Sequence, residues 1–131
     1  MSDRQATCCC GQLRITVRGE PVRISMCHCL DCQRRTGAPF GAQARFPEAA
    51  TSVEGQWSTW TRTGDSGGQA THCFCPVCGT TVFYKLGALP GMIGVPIGGF
   101  ADPTFPPPRA SVYNERRHPW VVVPEGAVLE D

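Results

Sequence analysis

At 131 residues the chain is long enough for one domain with a modest core. Twelve basic and eleven acidic residues leave a net charge of +1, so the chain lacks the excess of positive charge that is typical of nucleic-acid-binding proteins. The sequence has no apolar run long enough to cross a bilayer, so we expect neither a nucleic acid nor a membrane as partner.

Alternating apolar residues predict a mainly β chain with little helix. In chain order, the predicted strands cover residues 13–17, 22–26, 42–46, 57–62, 82–84, 92–97, 110–113 and 120–123. Gly19-Glu20-Pro21 predicts a turn that would pair the first two of these strands as a hairpin. The predicted helix covers Leu30–Thr36 and ends at Gly37. The three tryptophans are expected in the core, because a small β domain needs large apolar side chains.

Seven of the nine cysteines have the C-x-C or C-x-x-C spacing of zinc ligands. They form a first cluster (Cys8, Cys10), a second cluster (Cys27, Cys29, Cys32) and a third cluster (Cys75, Cys78). Two closed tetrahedral sites would need eight protein ligands, so seven predict one site closed by four cysteines and one site left open by three. An open coordination position is typical of a catalytic zinc, so we expect two zinc ions with different roles.

The third cluster needs a partner pair, which the first cluster can supply if the strands that follow them are neighbours. The second cluster could then hold one ion unaided. Spacing alone leaves an alternative open, in which Cys27 and Cys29 pair with the third cluster instead. The remaining thiols, Cys9 and Cys73, are expected to point away from the ions as buried apolar groups or bystanders.

The chain contains the motifs C-x-C-G, C-H-C-x-x-C-Q-R-x-T-G and F-C-x-x-C-G, followed by a late Pro-Trp. Together these motifs resemble the glutathione-dependent formaldehyde-activating enzyme family, which includes centromere protein V-like members. The resemblance runs from about Cys8 to Trp120. It implies a single zinc-binding domain over residues 1–131, with the β-tent (Mss4-like) fold of small antiparallel sheets. It also implies a carbon–sulfur lyase that forms S-hydroxymethylglutathione from formaldehyde and glutathione. By this resemblance the structural zinc is held by Cys8, Cys10, Cys75 and Cys78, and the catalytic zinc by Cys27, Cys29 and Cys32.

Three thiolates would leave a zinc centre with a net charge of −1, which suits activation of a thiol better than activation of water. We therefore expect the glutathione sulfur at the open position, where it would attack the aldehyde carbon. The carboxylates of glutathione need cationic partners, and Arg34 and Arg35 directly follow the second cluster. Only one of two adjacent side chains on a helical turn is expected to face the site, and the alternative is a solvated pair.

Two other functional classes compete with the lyase. A zinc-stabilised binding or chaperone-like module would close the second cluster with a fourth side chain, such as His28, His72 or Cys73. A thiol-dependent reductase would need a reactive cysteine outside the clusters. Since neighbours in an extended segment point to opposite faces, His28 is expected to turn away from the ion. The odd number of cysteines and the absence of an apolar leader after Met1 predict a reducing, cytoplasmic location.

Overall fold

The computed structural model describes residues 3–64 and 67–130, and the predicted mainly β class with little helix is confirmed. The strands are β1 Asp3–Thr7, β2 Arg14–Arg18, β3 Arg23–Cys27, β4 Gly41–Pro47, β5 Thr51–Glu54, β6 Ser58–Thr63, β7 Gln69–Phe74, β8 Thr81–Leu86, β9 Met92–Pro96, β10 Ala110–Val112 and β11 Val128–Glu130. The α-helix α1 covers Leu30–Thr36, and short 3-10 turns cover Glu48–Ala50, Ile97–Phe100 and Asn114–Arg116. Within the two described ranges, no helix has the length and apolar character needed to cross a bilayer.

The strands form two sheets. The smaller sheet has the order β1-β2-β5 and is antiparallel throughout. The larger sheet has eight strands in the order β11-β10-β3-β4-β9-β8-β7-β6. It departs from the expected small antiparallel sheets, because β10 runs parallel to both β3 and β11.

The predicted hairpin of the first two apolar segments is wrong. Strand β2 pairs with β1 and β5, whereas β3 pairs with β4 and β10, so the two segments lie in different sheets. Gly19, in the segment predicted to turn, has a positive φ of 79°. This segment connects the sheets instead of closing a hairpin, because both edges of β2 are paired with β1 and β5 and both edges of β3 with β4 and β10.

The predicted strand at residues 120–123 is also wrong, because this segment makes no ladder with any described strand. It lies between Pro119 and Pro124, which lack the N–H group that a ladder needs. Its side chains Trp120 and Val122 are 69% and 85% exposed. The other two tryptophans, Trp57 and Trp60, are exposed as well, so the expectation that tryptophans form the core is not met.

Smaller apolar residues form the core instead. One face of the large sheet presents Ala44, Phe46, Ile93 and Val95, which pack with the buried residues of the small sheet. Since side chains alternate across a strand, the intervening residues of the large sheet lie on its opposite face. That second face, called here the polar face, carries Gly41, Gln43, Arg45, His72, Tyr84 and Gly94. Helix α1 covers part of it, and the candidate chemistry lies there.

Candidate metal centres

The first and third clusters form two similar turns. The N–H of Cys8 donates to the carbonyl of Leu13, and that of Cys75 donates to the carbonyl of Thr80, at 3.0 and 2.9 Å. Each turn is closed by a glycine with positive φ, 86° at Gly11 and 81° at Gly79. A residue with a Cβ would be strained in this conformation, which explains a glycine directly after the last cysteine of each turn.

The two turns bring four sulfurs together. The Sγ atoms of Cys8, Cys10, Cys75 and Cys78 all lie within 4.8 Å of one another. The Cys10 sulfur lies 3.6 Å from that of Cys8 and 3.7 Å from that of Cys75. The structure thus groups the sulfurs of the first cluster with those of the third. Four sulfurs around one point fit a closed tetrahedral metal site.

Neighbouring N–H and O–H groups donate to these sulfurs. Leu13 N donates to Cys8 Sγ at 3.3 Å, and the Gln12 side-chain amide donates to Cys75 Sγ at 3.0 Å. Hydrogen bonds from the hydroxyl and the backbone N–H of Thr80 lower the pKa of Cys78 to about 5. Because such bonds favour the thiolate, which is the form that binds metals, they help to hold a charged sulfur at Cys78.

The second cluster brings three sulfurs together on the polar face. Cys27 ends β3, Cys29 caps the N-terminus of α1, and Cys32 lies in its first turn. The N–H of Cys32 donates to Cys29 Sγ at 3.3 Å, and α1 ends at Gly37 with φ of 68°, as predicted. All three sulfurs lie within 4.8 Å of one another. Among the residues that the structure describes, no histidine, aspartate, glutamate or further cysteine completes this group as a fourth donor.

The three thiols cannot ionise independently. Hydrogen bonds from Cys27 and Cys32, with a smaller contribution from the Arg62 charge, lower the pKa of Cys29 to about 2. The pKa of Cys27 is raised well above its ordinary value, because its thiol bonds to Cys29 and Cys32 and is partly buried. A second thiolate beside the first is therefore disfavoured unless a cation offsets the repulsion. A soft divalent metal such as zinc fits this donor set.

Two arginines flank this cluster. The Arg35 side chain extends over Gly41, and a Cβ added at Gly41 would lie 3.0 Å from its Nη2. The positive charge of Arg35 favours the thiolate form of Cys32. Arg62, on β6, bonds the Asp31 carboxylate through Nη1 at 3.0 Å. By contrast, the Arg34 side chain is 76% exposed and approaches Asp31 only to 3.8 Å. Of the two predicted arginines, the structure therefore places Arg35 beside the cluster and Arg34 in solvent.

His28 is buried on the other side of its segment. Its Nε2 lies 2.9 Å from the Ser111 hydroxyl on β10. That hydroxyl lies 2.6 Å from the amide oxygen of Asn114, whose Nδ2 donates to the carbonyls of Ser111 and Glu130. Since the Ser111 proton is used on Asn114, Nε2 of His28 is the donor to Ser111. The imidazole thus anchors the loop between Cys27 and Cys29 to the sheet.

The two remaining cysteines lie apart from both groups. Cys73 is buried in the core, and Cys9 is exposed. Sequence reasoning did not single out Arg62 or Tyr84, and it gave His72 no spacing signal. These residues lie on strands β6, β8 and β7, and only the pairing of those strands places them near α1. No pattern within the sequence carries that information.

A groove of about 670 Å³ runs from α1 to the four-cysteine group. Arg35 and Thr36 line it at the helix, and Cys9 and Cys78 line it at the other end. Threonine hydroxyls of residues 7, 80 and 81 and the glycines 98 and 99 form much of the wall between. Its volume lies in the range of small-molecule sites, and its walls offer hydrogen bonds and one cation.

Residues 3–116 match the sequence model of the family described as glutathione-dependent formaldehyde-activating enzyme. The chain belongs to that family. The matched segment contains both cysteine groups and every strand except β11, so the glutathione-dependent formaldehyde-activating assignment covers the whole candidate site.

A solved structure shows the same fold. It is the crystal structure of a Rhodobacter sphaeroides protein, with a TM-score of 0.59 and 23% sequence identity over 79% of this chain and 91% of that one. No curated protein gives a significant match. The family assignment therefore depends on the sequence match to the glutathione-dependent formaldehyde-activating enzymes, and the solved structure supports the fold.

Proposed function

We propose that this protein is a zinc-dependent carbon–sulfur lyase of the S-(hydroxymethyl)glutathione synthase type, which joins formaldehyde and glutathione. The observation that carries the proposal is the difference between the two sulfur groups. One has four cysteines, which suffice to close a tetrahedral site, and the other has three with no fourth donor among residues 3–64 and 67–130. A site with three protein ligands leaves room for a substrate atom.

We propose one zinc ion at each group, the structural one held by the four cysteines and the catalytic one held by Cys27, Cys29 and Cys32. When bound at the three sulfurs, zinc lowers the pKa of an incoming thiol and holds its sulfur in place. The cysteine residues position that sulfur on the polar face, beside the guanidinium of Arg35. We also propose a reducing location such as the cytoplasm, because the cysteines of both groups must stay reduced to hold metal.

The reaction needs little beyond positioning. The sulfur lone pair forms the carbon–sulfur bond as the carbonyl π bond of formaldehyde breaks onto oxygen. The proton lost by the thiol is regained at that oxygen, so the product is a hydroxymethyl thioether and no oxidant or reductant is consumed. The chain contributes by holding the two reactants in contact and by placing positive charge where negative charge develops.

The groove supports a peptide-like thiol as one substrate. Arg35 lies at its helical end and has no hydrogen-bonding or ion-pair partner among the described residues, so its guanidinium is available to a carboxylate. The three cysteines do not line the groove, but Arg35 lies at its end and acts on Cys32, so a tripeptide thiol bound at Arg35 could extend into the groove with its sulfur directed to the three-cysteine group. We therefore propose that Arg35, and not Arg34, binds a glutathione carboxylate.

The experiment is an exchange measurement by NMR. Magnetisation exchange between the free and adduct signals of formaldehyde and glutathione reports the rate of their interconversion, and the protein-free mixture gives the uncatalysed rate. We expect the zinc-loaded protein to accelerate this exchange and Cys29→Ser to remove the acceleration. X-ray absorption should show a fourth sulfur on part of the zinc when glutathione is added. An unchanged coordination shell and an unchanged exchange rate would contradict the lyase.

The alternative is a zinc-stabilised binding module. The exposed indoles of Trp57, Trp60 and Trp120 favour it, because exposed aromatic side chains are common in protein interfaces. The same measurement separates the two functions, since a binding module would hold both zinc ions without accelerating the exchange.

A further inference from the structure

His72 is a buried polar side chain without a partner. It is 5% exposed, and neither Nδ1 nor Nε2 has a hydrogen-bond partner within the described parts of the chain. Leaving a buried polar group unpaired destabilises a folded protein, so such groups call for an explanation. His72 lies on the polar face, which also carries the three-cysteine group, so a ligand bound on that face could supply the missing partner.

The orientation of the imidazole is fixed by its neighbours. His72 lies in register between Trp60 on β6 and Tyr84 on β8. The Trp60 indole stacks on it at 6.2 Å between ring centroids and 20° between planes, and the Tyr84 ring lies at 5.7 Å. Held between two rings on the polar face, the imidazole is preorganised and has little freedom to rotate.

The charges around His72 are those around the three sulfurs. Burial lowers the pKa of His72 to about 4, and the charges of Arg35 and Arg62 contribute to the same effect. The charge of Arg62 also favours the thiolate of Cys29, and that of Arg35 favours the thiolate of Cys32. The same two guanidiniums therefore act on the imidazole and on the sulfurs. At neutral pH the imidazole is uncharged and offers one N–H donor. His72 is not part of the sulfur group itself, and no described residue uses its N–H, so the donor is free for a ligand.

We propose that His72 donates a hydrogen bond to the oxygen of the aldehyde substrate, on the carbon that the thiol attacks. This inference depends on the proposed function. In the forward direction the carbon–sulfur bond forms, the carbonyl π electrons move to that oxygen, and the thiol proton completes the hydroxyl. The imidazole keeps its own proton and stabilises the developing negative charge, as a preorganised donor does in other carbonyl additions.

Two variants separate the hydrogen bond from packing. His72→Phe keeps an aromatic ring between Trp60 and Tyr84 but removes the donor, and His72→Gln keeps an N–H donor. We expect His72→Phe to lower kcat/KM for adduct formation by about 100-fold, with most of the loss in kcat, because one transition-state donor is removed. His72→Gln should recover a large part of this loss. Both variants should retain the zinc content and the glutathione affinity of the wild type.

A spectroscopic readout on the wild type does not depend on how well the variants fold. The chain has three histidines, so the imidazole nitrogens give few NMR signals, and the spectrum of His72→Gln assigns those of His72. We expect the His72 nitrogen signals to shift when S-hydroxymethylglutathione binds. S-ethylglutathione, which has the same size but lacks the hydroxyl, should leave them nearly unchanged.

The outcomes distinguish this inference from the proposed function. If the wild type accelerates the exchange and His72→Phe does so equally well, the role of His72 is overturned and the lyase proposal stands. The same holds if the wild type accelerates the exchange and both ligands shift the His72 nitrogen signals equally. A wild type that neither accelerates the exchange nor shows an adduct-specific shift would overturn both.

Discussion

The phenol ring of Tyr84 lies directly over Gly94 on the adjacent strand β9, in the space that the Cβ of any other residue would occupy. Burial raises the pKa of Tyr84 to about 12, and the nearby charges of Arg45 and Arg35 oppose that rise. The bare backbone at position 94 therefore lets a large side chain lie flat on the polar face. Tyr84 in turn supports the imidazole of His72.

Gly94→Ala should destabilise the protein and displace Tyr84. The new methyl group would overlap the ring, and overpacking of this kind costs about 1–3 kcal/mol. Gly98→Ala is the matched control, because an added Cβ there meets no atom within 4 Å. We expect thermal unfolding to show a clear loss for Gly94→Ala and little change for Gly98→Ala. Equal melting temperatures would show that the ring moves aside without cost.

Purified protein should contain close to two zinc ions per chain. Four sulfurs hold a metal more tightly than three, so a chelator should remove zinc from the three-cysteine group first. Metal analysis during a chelator titration measures this order. We expect one zinc to be lost early with little unfolding, followed by the second together with loss of the fold. A single zinc per chain would contradict the prediction.

Cysteine replacements should separate stability from activity. Cys75→Ser breaks the four-sulfur group, whose metal-binding energy is also folding energy, so we expect the melting temperature to fall by roughly 10 °C or more. Cys29→Ser should leave the fold largely intact and abolish the thiol-dependent exchange. Calorimetry and the NMR assay measure the two effects. If both variants unfold equally, the three-cysteine group is structural and the lyase proposal weakens.

The two adjacent arginines should differ in their effect on the thiol substrate. Arg35→Gln removes the guanidinium beside Cys32, so the KM for glutathione should rise roughly 10-fold, as expected for one lost charge-assisted hydrogen bond. Arg34→Gln is the matched control, since that side chain lies mostly in solvent. Mercaptoethanol, which has no carboxylate, should be indifferent to both changes. Equal effects of Arg35→Gln on both thiols would exclude a carboxylate contact.

Local signals in the sequence predicted the local structure well. The helix Leu30–Thr36 has the bounds predicted from its flanking residues, with Gly37 in the left-handed conformation that ends it. Most alternating segments are strands, because alternation directly reflects one buried face. Strand pairing was less predictable. The Gly19 turn suggested a hairpin, but whether β2 pairs with β3 or with β1 depends on contacts between residues outside the turn.

The sequence by itself determined the mainly β class, the helix and the grouping of seven cysteines by spacing, since each of these follows from residues close together in the chain. Only the tertiary structure decided which sulfurs meet, which arginine lies beside the open group, and that His72 and Tyr84 face the same space. The meeting of the first and third clusters joins the small sheet to the large one, and the other relationships join β3, α1 and strands β6 to β9 through the strand order of the eight-stranded sheet. Side chains distant in sequence become neighbours there because burying the opposite, apolar face fixes the register of every strand.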